Sequence, residues 1–312
     1  MGKIILIADS GTTKTDWSVI NDGSCLETIR TKGMNPYFQS FEEITEEIDA
    51  VLIPKMYASI GNNSSSQTNG ISEAVDFSMA SGKGAGSIII DAIYFYGAGC
   101  VFDKVDIMRN ALFSCIKASE INVYSDLLAA AHCTCGREAG IACIMGTGSN
   151  SCFYDGQSIV KNVPPLGYIL GDEGGGVTLG RLLVGDIMKG ILPKMLRDKF
   201  FEQFKLTQAD VLDNVYKRPF PNRFLAGLSP FLSENIDAPE IRAIVVSSFI
   251  SFFNRNVKQY DYEQYDANFV GSVAYHYSDI LMEVAEALNV RIGRILKSPM
   301  SGLIEYHNIK NT

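Results

Sequence analysis

Histidine is scarce in this sequence, with only 3 residues in a chain of 312. They stand far apart, at His132, His276 and His307, and suggest no Ser/His/Asp arrangement of the hydrolase type. The run from His132 to Cys135, followed by Cys143, lacks the spacing of a zinc loop, and no spaced set of cysteines offers ligands to an iron–sulfur cluster. The sequence therefore gives no support to these three chemistries and favours reduced, buried thiols.

Positive charge is also in short supply, since 27 Lys and Arg face 35 Asp and Glu and leave a net charge of −8. No basic run with interleaved aromatic residues is present, so we expect no nucleic-acid partner. No stretch is long enough for a membrane-spanning helix, and the first apolar run follows Met1 without a charged leader. These features, with 7 cysteines scattered through apolar runs, predict a cytoplasmic protein without a membrane partner.

What is present begins with a glycine-rich turn near the middle of the chain. A short apolar run from Ile141 ends in Gly-Thr-Gly-Ser at residues 146–149, and a second run with an apolar face follows at residues 151–154. This pattern predicts strand, tight turn and strand. Glycines allow a close approach to an anion, and N–H and hydroxyl groups can donate to phosphate oxygens. Taken alone, an ordinary hairpin turn explains the pattern more simply.

The start of the chain holds a second hairpin of the same kind. A buried run at residues 3–8 opens into a loop at residues 9–15 that is rich in hydroxyls, and a strand resumes at residues 16–20. After each hairpin a glycine turn leads into a third extended run, at residues 25–31 and 158–163. The chain therefore contains two copies of one unit, an internal repeat that is visible in the pattern and not in residue identity.

The two loops resemble the phosphate-binding hairpins of the actin, sugar-kinase and Hsp70 superfamily. The first begins Asp-Ser-Gly at residues 9–11, and the second covers residues 146–150. Further matching stretches lie at residues 125–130, 167–174 and 271–274, in the order that the family has them. The sequence is most similar to the N-acetylglucosamine kinase branch of the BadF/BadG/BcrA/BcrD ATPase family, and the resemblance spans nearly the whole chain.

The resemblance implies an α/β fold with two ribonuclease H-like (actin-like ATPase) domains, each built on a βββαβα repeat, and a ligand cleft between them. The strand and helix order that we predict from the pattern agrees with such a repeat. The first domain is predicted at residues 1–138 and is joined by a C-terminal helix at residues 298–312. The second is predicted at residues 139–297, with helical additions.

The activity implied by the resemblance is ATP-dependent phosphorylation of an amino sugar, most simply N-acetylglucosamine. ATP and Mg²⁺ are the implied cofactors, a small sugar is the implied partner, and a homodimer is compatible with the family. An activator ATPase of the BadF/BcrA type, without sugar kinase activity, is the alternative. Such activators hold an iron–sulfur cluster through spaced cysteines, which this sequence does not offer.

In the first loop, the resemblance implies that Asp9 holds Mg²⁺ against the ATP phosphates. Asp9 ends a buried strand, where α/β folds place ligand sites, although a loop carboxylate can also satisfy local N–H groups. Lys14 is as well explained by solvent exposure as by phosphate binding. The residues expected to bind the nucleotide in this loop are Ser10, Gly11, Thr12, Thr13 and Lys14.

Asp126 is implied to be the catalytic base that accepts the proton of the sugar hydroxyl. It follows a short predicted strand and precedes a helix, so it could instead cap that helix. Ser125 could cap the helix in its place and leave Asp126 available to the substrate.

The remaining residues implied by the resemblance fall into two groups. In family members an aromatic residue, often Trp, stands where this chain has Tyr168, which could stack on a sugar ring. A plain strand-to-helix turn explains residues 271–273 nearly as well as a contact to adenosine does. The predicted substrate residues are Asn35, Asp126, Thr147, Asn150, Gly167, Tyr168 and Asp172. The predicted nucleotide residues beyond the first loop are Gly146, Thr147, Gly148, Gly271 and Ser272.

One segment departs from the family pattern. Residues 59–87 are rich in Ser, Asn, Gly and Gln, where a shorter and more regular connection is expected. The glycines around Lys83 do not have the spacing of a nucleotide loop, because no Ser or Thr follows the lysine. We interpret the segment as an exposed insertion or linker.

Overall fold

The structure is a computed structural model that describes residues 2–11, 13–66 and 88–308. The described residues form two compact units. The first unit contains the residues up to Ala129 and those from Met300 onward, and the second runs from Ala130 to Pro299. Each unit has its own cluster of buried apolar side chains. The predicted domain limits at residues 138 and 297 concern folding units and stay predictions.

The first unit is organised around a five-stranded sheet with the order β3-β2-β1-β4-β5. The central strand β1 is apolar and buried along nearly its whole length, as expected for a strand covered on both faces. Strand β2 is antiparallel to β1 and to β3, whereas β1, β4 and β5 are parallel. The strands are β1 (Ile4–Ser10), β2 (Lys14–Asn21), β3 (Ser24–Lys32), β4 (Ala92–Gly97) and β5 (Ile121–Ser125).

The helices of the first unit follow the strands as crossover connections. Ser40 caps the first of them, since its hydroxyl accepts from the amide of Glu43 while the Glu43 carboxylate accepts from the amide of Ser40. The helices are α1 (Phe41–Glu47), a π-helical turn (Ile48–Leu52), α2 (Ile53–Ser66), α3 (Lys104–Cys115) and α4 (Asp126–Cys135). Helix α4 begins in the first unit and ends in the second.

The second unit repeats the sheet of the first, with the order β10-β9-β6-β7-β8. Strand β7 is antiparallel to β6 and to β8, and β6, β9 and β10 are parallel. The two sheets therefore have the same connectivity, which confirms the predicted α/β fold with two βββαβα repeats. The strands are β6 (Gly140–Met145), β7 (Ser149–Tyr154), β8 (Ile159–Val163), β9 (Ala267–Val270) and β10 (Ile292–Leu296).

Nine helices and one 3₁₀ turn are described within the second unit. Prolines at the first turns of α9, α10 and α11 fit helix starts, because proline lacks the N–H that a first turn leaves unpaired. The helices are α5 (Gly167–Leu170), α6 (Gly176–Met188), α7 (Lys194–Phe204), α8 (Gln208–Tyr216), α9 (Pro221–Leu228), α10 (Pro230–Glu234), α11 (Pro239–Arg255), a 3₁₀ turn (Val257–Gln259), α12 (Ser272–His276) and α13 (Ser278–Ala287).

The last helix, α14 (Met300–Asn308), packs on the sheet of the first unit. The ring of His307 stacks on Tyr94 of β4 at 3.7 Å, and its Nε2 lies 2.9 Å from the hydroxyl of Tyr96. Leu303 of this helix is fully buried. No helix in the described part of the chain is long and apolar enough to cross a bilayer.

Two sequence-based expectations need correction. The insertion predicted from residue 59 is wrong for residues 59–66, which continue α2, where Ile60 is buried and contributes to the core. The rest of that predicted segment, residues 67–87, lies outside the described residues. The apolar run at residues 88–96 predicts a single strand, but the strand begins only at Ala92, because Ile90 makes only an isolated bridge to Ala118.

Candidate active site

The carboxyl edge of the first sheet brings two acidic residues together. Asp9 lies near the end of β1 and Asp126 directly follows β5, two parallel strands away. Carboxyl ends of parallel strands share one edge of a sheet, which is where α/β folds bind ligands. Ser125 caps α4, because its Oγ accepts from the amide of Leu128 at 3.2 Å. The capping position is therefore occupied by Ser125, and the Asp126 carboxyl is not needed for it.

Both carboxyl groups have raised pKa values. Burial, followed by repulsion from Asp16 and Asp126, raises the pKa of Asp9 to about 7, and Lys14 acts in the opposite direction. Burial also raises the pKa of Asp126, and the backbone amides of Leu127 and Asp126 partly oppose that shift. The effect of Asp126 on Asp9 indicates that their negative charges interact. Acidic groups with shifted pKa values at a ligand-binding edge are candidates for functional residues.

The sequence reasoning did not select Asp16, which stands directly opposite Asp9 on β2. Opposite residues of an antiparallel pair share one face of the sheet, so two like charges meet there. Lys14 Nζ and Arg30 Nε bind the Asp16 carboxylate at 2.8 and 2.6 Å, and hold its pKa below the usual value. We call Lys14, Asp16 and Arg30 the ion triad. The length of the hairpin loop, from which the register follows, was the signal in the sequence that could have identified Asp16.

A buried hydroxyl network connects the first hairpin to the segment after β3. Ser10 Oγ lies 2.7 Å from Thr15 Oγ1 and donates to the carbonyl of Met34 at 2.9 Å. The amide of Met34 lies 3.1 Å from Ser10 Oγ and 3.2 Å from Thr15 Oγ1. The Ser10 hydroxyl thus makes its hydrogen bonds inside the protein. By contrast, Gly11, Thr13 and Lys14 are exposed at the tip of the loop. Thr12 lies outside the described residues.

This network positions Asn35, the residue after Met34. Asn35 is buried, its Oδ1 accepts from the amide of Tyr37 at 2.9 Å, and its Nδ2 has no acceptor among the described residues. Gly99 makes room for it, since a Cβ there would lie 2.1 Å from Asn35 Oδ1 and the φ of +78° also favours glycine. A buried amide with an unused donor can bind a ligand oxygen.

In the second unit, the loop between β6 and β7 is held by its backbone. The amides of Gly176 and Val177, at the start of α6, donate to the carbonyls of Gly146 and Thr147 at 2.8 and 2.9 Å. The amides of Thr147 and Gly148 have no acceptor in the part of the chain that the structure describes. Two free amides next to a glycine can donate to an anion such as a phosphate oxygen.

The side chain of Asp172 holds the loop between β6 and β7 in place. Its Oδ1 accepts from the amide of Ser149 at 3.0 Å and lies where a Cβ on Gly148 would collide with it, at 2.8 Å. Burial raises the pKa of Asp172, the hydrogen bond from Ser149 opposes the shift, and Glu173 adds repulsion. Asp172 itself adopts a left-handed backbone with φ of 57°, which is uncommon for a residue with a side chain. Its carboxylate therefore positions the loop and retains a second oxygen.

The other predicted substrate residues of this unit lie on β7 and α5. Asn150 Oδ1 accepts from the amide of Ser151 and from Nδ2 of Asn162, at 2.9 and 3.0 Å. Tyr168 is half-buried and packs against the core of the second unit, so only part of its ring is exposed. Gly167, which begins α5, has a φ of +72° and lies on the surface.

The predicted adenosine residues form a turn between β9 and α12. Gly271 lies against the end of β6, where a Cβ would stand 2.3 Å from the carbonyl oxygen of Met145. Its φ of +133° is also unsuited to other residues. Ser272 is exposed at the start of α12. Gly271 thus packs this turn closely against Met145, the residue directly before the 146–149 loop.

The structure groups the predicted residues by unit. Among the described residues, no cluster of three or more His, Cys, Asp or Glu side chains could hold a metal by itself. The first unit contains Asp9, Ser10, Gly11, Thr13, Lys14, Asn35 and Asp126, and the second contains Gly146, Thr147, Gly148, Asn150, Gly167, Tyr168, Asp172, Gly271 and Ser272.

Comparison with solved structures identifies relatives of the whole chain. The crystal structure of a protein from Porphyromonas gingivalis, described as a putative N-acetylglucosamine kinase, is 42% identical to this chain with a TM-score of 0.86. The match covers 99% of this chain and 100% of that one. The chain belongs to the same sugar-kinase family as that protein.

Two less similar solved structures share the fold of this chain. A putative N-acetylglucosamine kinase from Chromobacterium violaceum is 16% identical, with a TM-score of 0.64 and coverage of 97% and 98% of the two chains. A ROK hexokinase from Thermus thermophilus is 14% identical, with a TM-score of 0.50 and coverage of 97% and 96%. No protein-family model and no curated protein sequence matches the chain. The narrower resemblance to the BadF/BadG/BcrA/BcrD family stays a prediction.

Proposed function

We propose that this protein transfers the γ-phosphoryl group of ATP to a hydroxyl of an amino sugar, with N-acetylglucosamine as the leading substrate. The observation that carries the proposal is the 42% identity, over essentially the full length of both chains, to the Porphyromonas gingivalis protein described above. The carboxyl edge of the first sheet supports it, since Asp9 and Asp126 lie where such a reaction needs a cation site and a base.

Asp126 is the proposed catalytic base. The sugar hydroxyl oxygen bonds to the γ-phosphorus, its proton passes to the Asp126 carboxylate, and the bridging oxygen leaves with ADP. Phosphoryl transfer proceeds through a loose transition state, so the base mainly orients the hydroxyl and takes the proton late. The raised pKa of Asp126 suits this role, because it makes the carboxylate a better proton acceptor than an exposed aspartate.

Asp9 is the proposed residue that would hold Mg²⁺, directly or through water. Magnesium in nucleotide sites takes one or two carboxylates and completes its coordination with phosphates and water, so a cluster of three protein ligands is not required. Burial and then the neighbouring carboxylates raise the pKa of Asp9, and a bound cation would stabilise its ionised form. When bound, the ion would neutralise charge on the ATP phosphates.

The glycine-bearing loops of the two units are the proposed phosphate contacts. Thr147 and Gly148 would donate their free amides, and the exposed Lys14 would add a positive charge from the first loop. The turn at Gly271 and Ser272 is the proposed contact to adenosine. Asp172 acts on the phosphate loop through its hydrogen bond to Ser149, and its second oxygen would accept from a sugar hydroxyl.

The proposed sugar contacts are polar side chains with unused hydrogen-bonding atoms. Asn35 would donate from Nδ2 to a hydroxyl oxygen, and Asn150, whose Oδ1 is already occupied, would likewise donate from Nδ2. The exposed part of the Tyr168 ring would contact an apolar face of the sugar. Precisely placed polar groups of this kind provide orientation in carbohydrate sites.

A coupled assay of ADP release across amino sugars tests the proposal, with a reaction lacking sugar as control. We expect N-acetylglucosamine to stimulate ADP release at least tenfold over that control, with stoichiometric formation of a sugar phosphate. ATP hydrolysis that is equally fast without any sugar would favour the activator ATPase instead. Mass spectrometry of the product identifies the phosphorylated sugar.

A further inference from the structure

A cavity in the second unit lies next to the predicted sugar-binding segment. Its volume is about 350 Å³, and it lies between the segment that leaves β8, residues 163–166, and the end of α11. Strand β8 is parallel to β6, because both are antiparallel to β7. The cavity therefore opens at the same carboxyl edge of the sheet as the loop at residues 146–149, where α/β folds bind ligands.

Asn256 lines this cavity and has an unused donor. Asn256 is only 5% exposed, and its Nδ2 atom is buried without a hydrogen-bond acceptor among the described residues. Buried amides nearly always have a partner, because leaving the group unpaired away from water is unfavourable. Asn256 therefore lines the cavity with hydrogen-bonding capacity that a group bound there could use.

The charges around the cavity favour a neutral group. Glu173 and Arg255, which also line it, form an ion pair at 2.5 Å and compensate each other. Pro164, Pro165 and Leu166 add apolar surface to the lining. A carboxamide can donate from Nδ2 and accept at Oδ1, which matches the carbonyl and N–H of a secondary amide. The apolar wall can cover the methyl group of an acetamide.

The cavity adjoins the segment that we propose binds the sugar. Gly171 and Glu173 line the cavity, and Asp172, between them, belongs to the proposed sugar contacts. We propose that this cavity receives the acylamino substituent of the sugar and that Asn256 is the residue that recognises its amide. This inference rests on the proposed amino-sugar kinase function and adds a specificity-determining residue to it.

The test is the variant Asn256→Leu, which keeps the size of the side chain and removes its polar atoms. We expect kcat/KM for N-acetylglucosamine to fall at least tenfold, mainly through KM, while kcat/KM for glucose changes less than twofold. Glucose has a shorter hydroxyl in place of the acetamido group, so it lacks the amide that Asn256 would recognise. The urea midpoint should stay unchanged or rise, because an unpaired buried group has been removed.

Gln259→Leu is the matched control, since Gln259 lines the same cavity from its exposed rim. It should leave the preference between the two sugars unchanged. Equal losses for both sugars in Asn256→Leu, or no loss for either, would overturn the inference while the kinase function stands. If Asn256→Leu does not fold, Asn256→Ser removes the amide with a smaller change in polarity.

Calorimetric titration with N-acetylglucosamine in the absence of ATP separates this inference from the proposed function. A wild type that binds the sugar at least tenfold more tightly than Asn256→Leu supports the subsite even if no phosphorylation is detected. A wild type that turns over the sugar while both proteins bind it equally contradicts the subsite alone. Absence of binding and of turnover contradicts both.

Discussion

The carboxyl edges of the two sheets have the same strand order and different chemistry. In the first unit the edge is ionic, with Asp9, Asp126 and the ion triad of Lys14, Asp16 and Arg30. In the second unit the corresponding edge is made of backbone amides, which helix α6 and Asp172 hold in place. One topology has thus been adapted in one copy to control charge and in the other to present N–H groups.

This difference decides which kind of substitution each edge tolerates. An ionic edge depends on the charge and the pKa of a few side chains, so isosteric changes of charge should affect it most. An amide edge depends on the close approach of chain segments, so the addition of a single Cβ should affect it most. Each kind of substitution should therefore have its largest effect at one of the two edges.

The largest effect is expected for Asp126→Asn at the ionic edge. The substitution removes the proton acceptor and preserves the shape, so kcat should fall by roughly 10²-fold or more while both KM values stay within about threefold. Steady-state kinetics with ATP and N-acetylglucosamine measure it. Asp106→Asn, an exposed carboxylate of α3, is the control and should be silent. Retention of more than about a tenth of the wild-type kcat would remove Asp126 from the role of base.

Gly271→Ala should have the next largest effect, at the amide edge. The new Cβ would collide with the carbonyl of Met145, which is backbone and cannot rotate away, and the φ of +133° adds strain. We expect a loss of about 2–4 kcal/mol in the free energy of unfolding and a displaced 146–149 loop. Urea denaturation measures the loss.

Gly185→Ala is the matched control for that experiment. Gly185 lies inside α6, and a Cβ there meets no atom within 4 Å. Alanine has the higher helix propensity, so this variant should be as stable as the wild type or up to about 1 kcal/mol more stable. Similar losses in both variants would mean that the close approach at Gly271 is not what stabilises the turn.

Asp9→Asn should separate stability from activity at the ionic edge. The pKa of Asp9 is about 7 in the folded protein, above the ordinary value of 3.8, so the fold favours the neutral form. Wild-type stability therefore falls as the pH rises from about 4 to 7, because the unfolded chain ionises first. Asparagine stays neutral and avoids this loss.

We accordingly expect Asp9→Asn to be more stable than the wild type at pH 8 by on the order of 2–4 kcal/mol, and by about 1 kcal/mol or less at pH 4.5. Urea denaturation in a chelating buffer measures both values. The same variant should need more Mg²⁺ for half-maximal activity and turn over more slowly. A stability difference that does not change with pH would contradict the burial of an ionisable group at this position.

Some features of the fold and of the candidate site can be predicted from the sequence, and others cannot. The two hairpins and the repeat were predictable because buried apolar runs and glycine turns are local signals. The partners of Asp16 and the contact of Gly99 with Asn35 were not, because they depend on strand register and on the approach of distant segments. The continuation of α2 through residues 59–66 was missed for a related reason, since Ile60 is buried by contacts that composition does not reveal.

The smallest effect is expected for the ion triad. Arg30 is 66% exposed, so its pairing with Asp16 should contribute little to stability. Its removal should nevertheless matter for the nucleotide, because Asp16 would then interact with Lys14 alone and compete more strongly with phosphate for it. We expect Arg30→Gln to raise the KM for ATP about two- to threefold at an ionic strength of about 0.02 M, and hardly at all at about 0.3 M, where salt screens exposed charges. Arg109→Gln, which removes an exposed pair on α3, should leave the KM unchanged at both. An increase of the same size at low and high salt would mean that Arg30 acts by packing and not by charge.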